Sequence, residues 1–227
     1  MGRQKDARRL QNNARPGRLS GLFGPMPIAT NTIAAALRAA TGQLATSSET
    51  ARLDAEILMA HSLGIERTDM LMRQHDLEVP VHFQALIDRR AAAEPVAYIR
   101  GIQEFWGLPF AVTPDVLIPR ADSETLIEMA IDAFADRTAP ARILDLGTGS
   151  GALLFAALAE FTGAVGVAVD ASAAALAVAA DNARRLGFGD RASFQHISWL
   201  DDGWTNALGQ FDLILCGHGG GARTGCS

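Results

Sequence analysis

Residues 145–151 read Asp-Leu-Gly-Thr-Gly-Ser-Gly, between an apolar run ending at Leu144 and a helix-favouring stretch, ALLFAALAE. A glycine-rich turn between a strand and a helix lets the backbone turn tightly and approach a ligand without Cβ collisions. The spacing is GxGxG, unlike the GxGxxG of dinucleotide folds, and no Lys follows as in a phosphate-binding P-loop. Alone, such a loop is often only a tight strand–helix turn. The next strand-like run, VGVAVD, ends in an acid, Asp170, nineteen positions after Gly151. A carboxylate there can accept both hydroxyls of a ribose, although an Asp in this place also suits a helix cap or open solvent. Loop and acid together, in this order, point to an adenosine-containing cofactor without a pyrophosphate. S-adenosylmethionine (SAM) fits that description.

The elements that must position these residues follow from periodicity. Four short helices are expected upstream. The first follows Thr30 or Asn31 and stops at Gly42. The second is capped by Ser47-Ser48 and ends at Gly64. The third lies around Thr68 to Arg73. The fourth takes Pro80 in its first turn and ends before Pro95. Glu104-Phe105-Trp106 and Phe110-Ala111-Val112 read as a hairpin around Gly107-Leu108-Pro109, with the aromatic residues as core. A helix capped by Asp122 or Ser123 precedes an alternation of strands (ARILDLG, VGVAVD, ASFQHIS, FDLILC) with helices (about Ala152 to Phe161, and Ser172 to Leu186 ended by Gly187). Strands alternating with helices imply a parallel, doubly wound sheet. The expected fold is therefore α/β: a small N-terminal helical bundle, a β-hairpin linker, and a Rossmann-like doubly wound sheet.

Composition narrows the function classes. The chain has 227 residues, 48% of them hydrophobic and 20% charged, as in ordinary globular proteins. Its longest apolar runs are too short to span a bilayer, so no membrane partner is expected. The two cysteines, Cys216 and Cys226, make no disulfide framework or cysteine-based metal site, and a reducing cytoplasmic setting is the default. The net charge of −5 hides an asymmetry: residues 1–25 hold six Lys or Arg against one Asp, leaving −10 for the remainder. An Arg-rich leader suits a transit peptide or a nucleic-acid arm. Lacking an apolar face or hydrophobic region, it is read as a disordered extension or as the product of a start codon upstream of Met26. The acidic body argues against direct nucleic-acid contact.

The sequence DLGTGSG followed by VAVD is similar to the first two motifs of class I SAM-dependent methyltransferases. PVAYIRG and EFWGLPFAVTPDVLIPRADSE, behind a small helical domain, resemble the HemK-type glutamine N5-methyltransferases of peptide-chain release factors. The resemblance runs from about residue 26 to 216. It implies residues 26–94 as a helical substrate-recognition domain, 95–116 as the hairpin linker and 117–216 as the SAM-binding domain, with 217–227 an irregular Gly-rich tail. It implies methyl transfer from SAM to the N5 amide of the glutamine in a release factor's Gly-Gly-Gln motif, without a metal. Gly147, Thr148, Gly149, Ser150 and Gly151 would line the methionine part of SAM, Asp170 would hold the ribose, and Trp199 would lie against the adenine. Arg120 and Ser123 would sit beside the pocket. The family usually has Pro at the place of Ala121 and Asp at the place of Ser198.

An amide nitrogen is a poor nucleophile because its lone pair is delocalised, so it must be held by acceptors in line with the sulfonium methyl. The family does this with Asn-Pro-Pro-Tyr directly after the fourth strand. Here FDLILC is followed by Gly217-His218-Gly219-Gly220. No catalytic residue is therefore assigned, and His218, Cys216 and Cys226 are read as incidental. The family sheet has seven strands ordered 3-2-1-4-5-7-6, of which four are recognisable, the fourth an exposed apolar edge. The expectation is a truncated or frameshifted product with impaired transfer. The alternatives are a catalytically dead SAM- or release-factor-binding module and a non-functional fragment. A ribosomal-protein glutamine or a DNA adenine amine are rival acceptors.

Overall fold

The computed structural model describes residues 32–200 and 202–217. The expectations for residues 1–25, His218 and Cys226 lie outside them. Helix α1 (Ile33–Leu44) starts at Thr32, whose hydroxyl accepts from the Ala35 N–H at 3.2 Å, slightly later than the expected Thr30 or Asn31. Helix α2 (Ala51–Leu63) is not capped by Ser47-Ser48. The Ser48 and Thr50 hydroxyls instead donate to the buried Asp54 carboxylate, at 2.7 and 3.0 Å, and Arg90 completes its shell at 2.8 Å. Burial works to raise the Asp54 pKa, but these hydrogen bonds outweigh it and hold the group below the usual carboxylate value. Helix α2 ends at Gly64, as expected. After α3 (Arg67–Met72), Pro80 lies in the turn ahead of α4 (Phe83–Ala91), not inside it, and its carbonyl accepts from the Phe83 N–H. Ile33, Leu37, Leu44, Leu58, Met59, Met70, Phe83 and Ile87 form the bundle's core.

Pro95-Val96-Ala97-Tyr98 was not legible as helix, yet α5 (Val96–Arg100) forms there and closes on Gly101 in the left-handed conformation. Its Ile99 joins the helical core, whereas Ala97 and Tyr98 join a second cluster with Val112, Val116 and Ala175. The Tyr98 hydroxyl donates to the Val116 carbonyl at 2.7 Å. Next come β1 (Ile102–Phe105) and β2 (Leu108–Ala111), antiparallel, with Phe105 opposite Leu108. The turn is thus Trp106-Gly107, with φ of +53° and +71°, and not Gly107-Leu108-Pro109. Two successive positive φ values define the hairpin turn whose twist matches the strands. Trp106 is an unusual residue for it, and two acids secure it there. Glu124 accepts from its backbone N–H at 2.8 Å and Glu160 from its indole N–H at 2.7 Å. A short 3₁₀ turn, Ala121–Ser123, leads into α6 (Glu124–Phe134). Neither Asp122 nor Ser123 caps that helix by its side chain, because the turn supplies the backbone bond from Ser123 N–H to the Arg120 carbonyl.

Four parallel strands follow: β3 (Arg142–Leu146), β4 (Val165–Asp170), β5 (Ala192–His196) and β6 (Leu213–Cys216). Their order is β5-β4-β3-β6, the expected α/β arrangement with the first strand inside. Helix α7 (Ala152–Glu160) returns from β3, and α8 (Ala173–Leu186) from β4, capped by the Ser172 hydroxyl and ended by Gly187. Ile143, Ala168 and Leu215 pack with α6, α7 and α8 on one face. On the other, Leu144, Val167 and Val169 pack with Trp204, Leu208 and Phe211.

An aromatic column runs through the first of these cores. Phe105 meets Phe110 edge-on, Phe110 stacks on Phe155 with centroids 6.3 Å apart, and Phe155 stacks on Phe188 at 5.4 Å. It ties the hairpin to the sheet through α7. Phe155 is fully buried, so Phe155→Ala is expected to lower the unfolding free energy by about 3–5 kcal/mol. Urea denaturation checks this, and a loss below about 1 kcal/mol would show that the column collapses without cost.

Candidate functional site

Strand β3 delivers the chain to the sheet's upper edge, and the loop 147–151 turns it back into α7. The turn is fastened from the neighbouring strand: the Gly147 and Thr148 N–H groups both donate to the Val169 carbonyl, at 2.8 and 3.0 Å. Gly151 has φ of +83°, and a Cβ there would clash with the edge of the Phe155 ring, 2.8 Å from its Cζ. The loop therefore rests directly on the aromatic column, and only glycine fits that contact. Over Gly149, by contrast, a Cβ would meet nothing within 4 Å, so this side of the loop is open.

The structure brings the proposed residues together. Asp170, at the end of β4, accepts the Gly149 N–H on Oδ2 at 2.9 Å and the Ser172 N–H on Oδ1 at 2.9 Å. The acid thus braces both the glycine loop and the start of α8. Each oxygen keeps a further lone pair for a ligand hydroxyl. Trp199, half-exposed beyond β5, places its ring edge 3.5 Å from where a Gly147 Cβ would stand. Ser198, two residues beyond β5, accepts the Leu200 N–H on its hydroxyl at 3.2 Å. Thr148 and Ser150 are buried and shape the loop from within. Arg120 and Ser123 line the same cleft as Gly147–Ser150, together with Phe105, Leu117, Pro119, Leu153 and Gly217. No side chain caps α7, whose first residues, Ala152 and Leu153, border this cleft.

Two residues were missed by reasoning from sequence. Asp145, one hundredth exposed, accepts the Thr148 hydroxyl on Oδ2 at 2.6 Å, while its buried Oδ1 has no hydrogen-bond partner among the described residues. Burial pushes its pKa up to about 6; the Thr148 bond and, more weakly, the nearby Leu154 backbone amide oppose the shift, and the Asp170 charge adds to it. The available signal was an acid inside the apolar strand RILDL. Asn182, wholly buried on α8, was the second, marked by a polar side chain on a face of alanines. Among the described residues no cluster of three or more His, Cys, Asp or Glu could hold a metal ion. No helix there is long and apolar enough to cross a membrane.

Comparison with known proteins gives two domain matches. Residues 35–101 match the PrmC N-terminal domain and residues 138–218 a methyltransferase domain. The release factor glutamine methyltransferase of Bradyrhizobium diazoefficiens is 42% identical over 82% of this chain and 61% of its own length. That of Burkholderia pseudomallei is 43% identical over 75% of this chain and 60% of its own. The chain thus spans about 60% of the length of the curated relatives it matches. Among solved structures, a ribosomal protein L11 methylase from Lactobacillus delbrueckii subsp. bulgaricus superposes with a TM-score of 0.36. Its identity is 29%, over 46% of this chain and 50% of that one.

The buried Asp145 carboxyl sets a pH dependence. Its carboxyl titrates near 3.8 when unfolded and at about 6 when folded, so the folded chain binds the proton more tightly. This group's contribution is most favourable below pH 4 and is lost as pH rises through 6. Asp145→Asn carries no charge and keeps an oxygen for Thr148. It is expected to reduce the stability lost between pH 4 and 8 by on the order of 2 kcal/mol. Urea denaturation at both pH values measures it, and parallel profiles for variant and parent would refute the assignment.

Proposed function

We propose that this chain, similar to the release factor glutamine methyltransferases over about 60% of their length, binds SAM at the loop 147–151. The proposed acceptor is the amide nitrogen of the glutamine in a peptide-chain release factor's Gly-Gly-Gln motif. The observation that carries this reading is the bond from Gly149 N–H to Asp170, which joins the glycine loop and the acid into one cradle with Trp199 at its rim. The residues fit the cofactor. The open side of Gly149 and the uncapped start of α7 suit the methionine portion and its carboxylate. Asp170 has lone pairs for the ribose hydroxyls, and the exposed Trp199 offers a flat face to the adenine. When bound, SAM supplies an electrophilic methyl group on its sulfonium sulfur. The protein's own part is orientation and exclusion of water, to which Phe105, Leu117 and Pro119 contribute an apolar wall.

In this reading residues 26–94 recognise the protein partner, 95–116 link, and 117–216 hold the cofactor. The acceptor side is weaker. Gly217 lines the cleft, and the residues that follow are His218-Gly219-Gly220, with no side-chain amide to accept from the glutamine NH2. We therefore propose that this chain as it stands binds SAM but transfers poorly, acting chiefly as a cofactor- or release-factor-binding module.

Titration calorimetry with SAM and incubation with methyl-labelled SAM and a release factor test the two halves separately. SAM is expected to give a binding isotherm, and Asp170→Ala to weaken it about tenfold or more, since hydrogen bonds to a charged group are lost. No heat with the parent chain would refute the cofactor reading. Little or no label is expected on the release factor, and robust labelling of the Gly-Gly-Gln glutamine would refute the weak-transfer reading. Capture of the release factor by the chain without labelling is the outcome expected of a binding module.

A further inference from the structure

The amide of Asn182 is a fully buried polar group to which the cofactor reading gives no task. It lies on the core face of α8, where Ala175, Ala179 and Ala183 occupy the neighbouring positions. Its Nδ2 donates to the Ser150 carbonyl at 2.9 Å and to the Ala111 carbonyl at 3.0 Å. Its Oδ1 accepts from the Ala111 N–H at 2.7 Å. Both amide hydrogens and the oxygen are thus committed, to segments 32 and 71 residues away in sequence. Ser150 belongs to the glycine loop. Ala111 ends strand β2, whose partner strand carries Phe105 into the wall of the cleft.

We infer that Asn182 is a positioning residue for the cofactor site: it fixes the loop against the hairpin and so sets the width of the cleft between Gly147–Ser150 and Phe105. The inference rests on the reading of that cleft as the SAM site. The fork needs two donors and one acceptor on one planar group. Asp supplies no donor when ionised, and an apolar side chain of similar size leaves two carbonyls and one N–H buried without partners. The cost of either change would fall on the loop as well as on the fold, because Ser150 has moved off its anchor.

The test compares binding of S-adenosylhomocysteine, which lacks the transferable methyl, by calorimetry on the full chain. The proteins are the parent, Asn182→Asp, and Leu58→Ala, which loses stability in the helical core away from the cleft. Circular dichroism and Tm establish that each is folded at the temperature used. Asn182→Asp is expected to bind about tenfold or more weakly, and Leu58→Ala to bind as the parent does. A folded Asn182→Asp with the parent's affinity overturns the inference, as does an equal loss in Leu58→Ala. Absence of heat with the parent overturns the cofactor reading and this inference together, so the two failures are distinct. If Asn182→Asp does not fold, hydrogen exchange of the parent decides. S-adenosylhomocysteine is expected to slow exchange of the Ala111 amide through Asn182, and unchanged exchange there overturns the proposal.

Discussion

Much of this molecule depends on one stacking contact, the Phe155 ring held between Phe110 and Phe188 with Gly151 above it. An aromatic ring in this place does three things at once. It fills the first turn of α7, it gives the hairpin a flat surface to lie on, and it forms the floor under the glycine loop. Interiors are close-packed, so displacement of one member of such a column is transmitted to the others. The position of the loop is therefore set by packing beneath it before any ligand arrives. The glycines answer to that packing as much as to the open side above.

The buried charges sort by the company they keep. Glu56 is nearly inaccessible, yet Arg52 and Arg67 both donate to it, and Asp54 has Arg90 and two hydroxyls. Both acids lie in the helical half, where Arg67 and Arg90 link α2 to α3 and α4. Asp145 has one hydroxyl for two oxygens and a second carboxylate nearby. Buried ionised groups without partners are costly, and their persistence marks places where stability was not the only requirement. The contrast separates a half of the chain whose buried acids are paired from a half that keeps an unpartnered carboxylate oxygen beside the glycine loop.

The glycine loop, Asp170 and the parallel run of strands were legible because each follows from local spacing: a strand, a turn that needs positive φ, a helix, and an acid at the next strand end; the order of the strands came from the family resemblance instead. Gly64 and Gly187 were legible as helix ends for the same reason, whereas Gly42, expected to stop the first helix, lies inside α1, which runs on to Leu44. What could not be read depends on partners distant in sequence. Ser48 looks like a cap until Asp54 takes its hydroxyl, and Trp106 looks like a strand residue until Glu124 and Glu160 hold it in the turn. Asn182 is the extreme case, since its three bonds reach segments that no pattern within α8 reveals.

Helix α5 has a consequence for how this sequence can drift. Its five residues serve two cores, with Ile99 turned to the helical bundle and Ala97 to the hairpin side. Successive residues of a helix are about 100° apart around its axis. One residue added or removed within α5 would therefore swing everything after it by about that angle relative to everything before. The chain can vary in length in its surface connections, but between Pro95 and Gly101 the count of residues is itself part of the architecture.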